Sequence, residues 1–257
     1  MLYDTEVIGR QTMRLTVLGG CGAWPAAGQA CSGYLVEHDG FRLLVDPGYA
    51  IVPRLLERIT ASEVDAVLVS HGHPDHCADL HPLLRARVLV EVPAPRLPVY
   101  ALPGAVDRVL ALDRTVEEAH TVRTFAAGDG FEIGPFRVDT WELPHFLPNA
   151  GLRLAAGGRV LAYTGDTGPS RAIIELARGA DLFLAEATYA EEVPADSAAY
   201  LSSARQAGEA AAGADVGRLL LTHLQPGTAP AGAQAAAHRA YRGEITVAHG
   251  GLVVDLG

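Results

Sequence analysis

The sequence predicts a layered α/β domain with two sheets inside and helices outside. Three observations carry that expectation. Strand-like and helix-like segments come in blocks: mixed at first, strands alone after residue 120, then helices and strands in alternation. No long linker and no short-period repeat divides the chain. Hydrophobic residues make up 49% of the 257, enough to fill a substantial core between layers.

The elements follow in order. "MRLTVLGG" at 13–20 reads as a strand running into a glycine turn. The stretch 32–48 places two apolar runs on either side of Asp39-Gly40, a hairpin signal because glycine tolerates positive φ. Residues 51–59 have helical spacing, and "VDAVLVS" at 64–70 is a continuously apolar run, as in a buried strand. Helices are expected over 80–87 and 104–113, with a strand at 97–102 between them. Strands are expected at 121–126, 136–143, 151–156 and 159–165. Helices at 170–179, 203–214 and 230–242 then alternate with strands at 180–187 and 216–223 and the closing run "EITVAHGGLVVDLG". The first strand opens at Met13, so residues 1–12 read as an N-terminal extension and 13–257 as one domain, with Met13 an alternative start to Met1.

Composition narrows the function classes. The formal net charge of −10 argues against a long nucleic acid as partner, which would call for a basic face. No run of 18 apolar residues is free of charges or breakers, so no membrane span is expected. Residues 1–20 lack an apolar signal core. Cys21, Cys31 and Cys77 form no CxxC pair and read as reduced buried thiols, which fits a cytoplasmic location.

The chemistry gathers at strand ends. Four strand-like runs each deliver an imidazole or a carboxylate at the C-terminal end: His71, His145, Asp166 and His223. The stretch "SHGHPDHCADL" adds His73, Asp75 and His76 beside His71. In an extended loop His71 and His73 can turn their rings to the same side. Imidazole nitrogens and carboxylate oxygens suit Zn²⁺, and neutral histidine needs no deprotonation. One cation cannot accept all these donors, whereas two can share them with Asp166 as the bridge. The plainer alternative is a polar loop at a helix start, capped by Asp75.

"HGHPDH" matches the HxHxDH signature, and here the chain resembles the metallo-β-lactamase superfamily. "LGGCGAWP", "LLVDPG", "LPH" at His145, "YTGDTGP" at Asp166, "EATY" at Glu186 and "LLLTH" at His223 extend the resemblance over nearly the whole chain. It implies a four-layer αβ/βα sandwich with a dinuclear zinc site, manganese or iron being alternatives. His71, His73 and His145 would hold one metal and Asp75, His76 and His223 the other, with Asp166 bridging. Among branches the chain is similar to ribonuclease Z and the phosphodiesterases. That resemblance implies hydrolysis by a metal-activated hydroxide, with Asp75 orienting the nucleophile and Glu186 holding His223 in its productive tautomer. Thr167, Ser32 and the "GGCGAWP" backbone would line the substrate mouth, and a homodimer would be in keeping with the branch.

Two departures bear on the substrate. His145 and Asp166 lie too close in sequence for the basic RNA-clamping arm that ribonuclease Z enzymes carry between these positions. Tyr200 or Leu201 stands where the branch often has a histidine paired with the Glu of "EAT"; Tyr200 would then serve as a weak acid. Both departures favour a small phosphodiester such as a cyclic nucleotide. The alternatives are a ribonuclease Z-like RNA 3′-end endonuclease, a thioester or lactone hydrolase of the same fold, and a non-catalytic metal-containing binding protein.

Overall fold

Strands buried on both faces dominate the computed structural model, which describes residues 12–257. The expected extension therefore lies, apart from Thr12, outside the described residues. The first sheet holds β1 (Met13–Gly19), β2 (Gly33–His38), β3 (Phe41–Val45), β4 (Ala66–Val69), β5 (Leu97–Ala101) and β6 (His120–Thr124). The second holds β7 (Gly130–Ile133), β8 (Phe136–Leu143), β9 (Asn149–Ala156), β10 (Arg159–Tyr163), β11 (Leu182–Glu186), β12 (Arg218–Thr222) and β13 (Glu244–Val247). The last strand, β14 (Val253–Leu256), returns to the first sheet and pairs antiparallel with β1. The sheet orders are β14-β1-β2-β3-β4-β5-β6 and β13-β12-β11-β10-β9-β8-β7.

Side-chain alternation sorts each strand between two environments. Leu68 faces the other sheet and joins Leu15, Tyr34, Leu152, Leu161 and Leu184 in the central core. Its neighbours Val67 and Val69 face outward, under α1 (Ile51–Leu56) and α3 (Leu80–Val88), whose Ile51, Leu55, Leu80, Leu83 and Leu84 cover that face. On the second sheet, Phe183, Leu219 and Leu221 pack under α5 (Arg171–Ala177), α6 (Ala204–Ala214) and α7 (Pro230–Ala237). The result is four layers: helices, sheet, sheet, helices. Alanine and glycine let α6 and α7 approach closely, and a Cβ on Gly208 would overlap the Ala237 backbone. The Asp39-Gly40 turn has φ of 50° and 77°, the left-handed pair of a two-residue hairpin.

Several elements are shorter than the sequence suggests. The helix expected over 104–113 condenses to α4 (Asp107–Leu110), and the one over 230–242 ends at Ala237. β7 was not singled out, because an edge strand of mixed burial carries little apolar signal. Among the described residues no helix is long and apolar enough to cross a membrane. Cys21, Cys31 and Cys77 are free and buried, and burial pushes the Cys31 and Cys77 thiols up to about 12.

Candidate metal centre

The two sheets touch at one end, through bridges between His71 and Asn149 and between Cys21 and Leu224. The Ala150 N–H donates to the Ser70 carbonyl across the same seam (3.1 Å). Into that seam run the C-terminal ends of β4, β8, β10 and β12, which deliver His71, His145, Asp166 and His223. Between β4 and α3 lies α2 (Pro74–Cys77), with His73 as its N-cap residue and Pro74 at its start, where a missing N–H costs nothing. That single turn presents Asp75 and His76.

All seven sequence-predicted metal ligands meet here, in two groups that share one residue. His71, His73, His145 and Asp166 form the first; Asp75, His76, Asp166 and His223 form the second, and within each the ligand atoms lie within 4.8 Å of one another. In the first group His73 Nδ1 is 3.0 Å from both His71 Nε2 and His145 Nε2. Two nitrogens bound tetrahedrally to one zinc at about 2.05 Å would be about 3.3 Å apart, so these separations fit a shared ion. Asp166 Oδ2 lies 3.8 Å from both His71 Nε2 and His145 Nε2. In the second group His223 Nε2 is 3.1 Å from Asp75 Oδ2 and 3.2 Å from Asp166 Oδ2. His76 Nε2 lies 3.1 Å from Asp166 Oδ1, yet neither atom has a hydrogen-bond partner although both are buried. Such a pair is costly unless something accepts both lone pairs; a divalent cation does so.

The electrostatics divide the two groups. Burial pushes the imidazoles of His71, His73 and His145 down, so all three stay neutral with lone pairs free. Burial acts the same way on His76 and His223, but the Asp166 and Asp75 carboxylates outweigh it and hold both rings above the usual range. Against the same burial, the neighbouring imidazoles hold Asp75 and Asp166 below the usual carboxylate range. The second group is fully buried, whereas His73 and His145 are half-buried, so the centre opens on their side.

The far nitrogens of four of the histidines are also held. His76 Nδ1 is 2.8 Å from Asp46 Oδ2. His71 Nδ1 is 3.1 Å from Ser70 Oγ, which donates in turn to Asp46 (2.6 Å). His145 Nδ1 donates to the Tyr200 carbonyl (2.9 Å). His223 Nδ1 lies 3.0 Å from Thr188 Oγ1, which donates to Glu186 Oε1 (2.6 Å). Such partners fix tautomer and ring orientation. Asp46, which also accepts from the Ser70 N–H and the Tyr163 hydroxyl, escaped the sequence reading, since "DPG" after a strand reads as a turn. Thr188 was missed as well; the only sequence signal for it is its place in "EAT".

Backbone strain concentrates here. Six non-glycine residues among those described have positive φ: Asp39 lies in the hairpin turn, while Ala50 and Asp215 flank helix ends. The other three are Ala23, Asp46 and His223, with φ of 59°, 49° and 60°. The Ala23 N–H reaches Asp75 Oδ2 at 2.9 Å and His223 Nε2 at 3.3 Å.

Glu186 sits behind the centre rather than in it. It is buried, accepts from the Thr167 and Ser202 N–H groups as well as Thr188, and reaches His223 only through Thr188. Burial and the Asp166 charge push its carboxyl up to about 8. Ser32 and Thr167, expected at the mouth, are buried too. Tyr200 is exposed beside His145, with its ring against Phe146.

Comparisons with known proteins agree with this geometry. Residues 41–224 match the family model of the Beta-lactamase superfamily domain. The chain is 30% identical over 250 residues to the probable metallo-hydrolase YhfI of Bacillus subtilis, covering 94% of this chain and 99% of YhfI. The crystal structure of YhfI superposes with a TM-score of 0.88 at 29% identity, over 95% of this chain and 99% of that one. A ribonuclease Z of Kineococcus radiotolerans is 32% identical over 260 residues, 82% of each chain. Human short-form tRNase Z shares the fold, with a TM-score of 0.78 at 22% identity over 95% of this chain and 100% of its own.

Proposed function

The chain belongs to the beta-lactamase superfamily, and from that premise we propose that it is a dinuclear metallohydrolase acting on a small phosphodiester such as a cyclic nucleotide. One observation carries the reading: Asp166 is common to two four-residue ligand groups, and its Oδ1 lies buried 3.1 Å from His76 Nε2 with no other hydrogen-bond partner for either atom. The donor set of nitrogens and oxygens fits zinc, and also manganese or iron.

Two divalent ions bound there would polarise the phosphoryl oxygens and bring a water to ionisation near neutral pH. The chain's own groups do the rest. Neutral His71, His73 and His145 offer lone pairs without releasing protons. The Ala23 N–H donates to Asp75 Oδ2 and fixes that carboxylate, so that Asp75 orients the attacking water. Glu186 is a positioning residue that acts on His223 through Thr188. Overall, a water oxygen–phosphorus bond forms, one phosphorus–oxygen ester bond breaks, and a proton passes to the leaving oxygen.

Two features support a small phosphodiester, the first bearing on size and the second on the bond cleaved. His145 and Asp166 are joined through the β9–β10 hairpin, with no inserted arm. The ligand set contains no cysteine, unlike the general pattern of the β-lactamases. The test is a panel of metal-loaded protein against 2′,3′- and 3′,5′-cyclic nucleotides, bis-p-nitrophenyl phosphate, a lactam, a glutathione thioester and a tRNA precursor. Turnover of the lactam or thioester without any phosphodiester turnover would refute the reading. The identity to a named ribonuclease Z favours a second one, RNA 3′-end cleavage, which processing of the tRNA precursor at low protein concentration would support.

A further inference from the structure

Among the described residues only four phenylalanine, tyrosine or tryptophan side chains are exposed: Trp24 (48%), Tyr49 (36%), Phe146 (52%) and Tyr200 (39%). Each is tied to the metal centre by its own contact with His145 or by the residue before it in the chain. Trp24 follows Ala23, whose N–H contacts Asp75 and His223. Tyr49 follows Gly48, which packs so closely on the Asp75 carbonyl that a Cβ there would overlap it. Phe146 follows His145, with ring centroids 5.3 Å apart. The Tyr200 carbonyl holds His145, and its ring lies 4.6 Å from Phe146 at an interplanar angle of 36°. Everywhere else on the described surface, phenylalanine, tyrosine and tryptophan are at least partly covered.

We propose that these rings, with the Phe146–Tyr200 pair foremost, form a stacking platform that selects phosphodiesters carrying a nucleobase. The inference rests on the phosphodiester reading and adds to it the group that recognises the substrate. Flat π-faces beside the ligands are suited to a flat ring held about one sugar away from the phosphate, and they stack on any base. Acyl chains and bare sugars have no planar face to match. The grip also needs no positive charge, in keeping with a chain of net charge −10. His145 and Phe146, with Leu147, Pro144, Glu142 and Ser170, line a groove of about 560 Å³, with His145 the one candidate ligand on its wall. No arginine or lysine lines it. Because its ring packs on Phe146, Tyr200 is assigned here to the platform rather than to proton donation.

The test compares 3′,5′-cyclic AMP with the abasic cyclic phosphate of the same sugar, using the metal-loaded full chain. Phe146→Ala should lower the ratio of kcat/KM for the nucleotide to that for the abasic compound by about 5- to 100-fold, chiefly through KM. Phe146→Tyr should restore it. A binding experiment reads the same contact without turnover. AMP should quench the Trp24 signal at lower concentration than ribose 5-phosphate, with Trp24→Phe assigning the signal, and Phe146→Ala should narrow the difference. Equal binding of AMP and ribose 5-phosphate, or a preference unchanged in Phe146→Ala, overturns the platform. Base-dependent binding with no phosphodiester turnover would instead sustain the platform and refute the phosphodiesterase reading.

Discussion

Replacing Asp46 by asparagine should weaken metal binding at both positions, although Asp46 is not itself a ligand. Asp46 Oδ2 lies 2.8 Å from His76 Nδ1 and accepts from Ser70 Oγ and the Tyr163 hydroxyl, while Oδ1 accepts from the Ser70 N–H. Asparagine keeps the shape but brings an NH₂ group. If its oxygen faces His76, the NH₂ opposes the Ser70 N–H; if it flips, the NH₂ opposes the His76 Nδ1–H. One buried donor is left unpaired either way, at a cost of about 1–3 kcal/mol. His76 can escape by moving its proton to Nε2, which removes the lone pair a metal needs. Through Ser70 the same change loosens His71, a ligand of the other group. Losing a partner of this kind typically costs about 10- to 100-fold in metal affinity, or about 1.4–2.7 kcal/mol. Competition against a chromogenic chelator measures the affinities, and urea unfolding of chelator-treated protein measures the stability loss. Wild-type affinity for both ions together with a wild-type unfolding midpoint would show that Asp46 does not set the His76 tautomer.

Three further outcomes are expected. His73→Ala removes the nitrogen that lies 3.0 Å from both His71 and His145; elemental analysis should find at least one ion lost per chain and activity lost with it, and full loading would disprove the assignment. Acidification should empty the Asp75–His76–His223 group first. Its imidazoles have raised pKa values, so protons compete there from a higher pH, while His71, His73 and His145 have lowered ones. Metal content followed downward from neutral pH should therefore pass through a one-ion stage, and loss from the three-histidine group first would contradict the electrostatics. Gly165→Ala forces a Cβ onto a backbone at φ 60° and against Asn149 Oδ1 and Ser70; it should cost at least about 1–2 kcal/mol in urea unfolding and displace the adjacent Asp166, lowering metal content.

Much of this centre could be read in the sequence because strands announce themselves and their ends are where side chains converge. The apolar run before His71 and those before Asp166 and His223 are all buried strands, and the histidine spacing marks the ligands directly. The supporting groups were hidden for a different reason. Asp46 and Thr188 act through contacts with residues 30 and 35 positions away, and a lone carboxylate or hydroxyl in a turn carries no periodic signal. Pairing was equally silent: alternation says that the closing run forms strands, but not that β13 joins one sheet and β14 the other. The aromatic rim was invisible because nothing in a sequence says which Phe or Tyr stays uncovered.

The seam between the sheets has a consequence for how the molecule holds together. The half that ends with β6 contributes His71, His73, Asp75 and His76; the half that begins with β7 contributes His145, Asp166 and His223. Each ligand group draws on both, so neither half owns a complete cradle. Binding energy for a cation is then also cohesion between the two layers, and a chelator should loosen their docking as it strips the centre. The chain's two halves behave as a pair of jaws, and the ions that would do the chemistry are also the rivets across the joint.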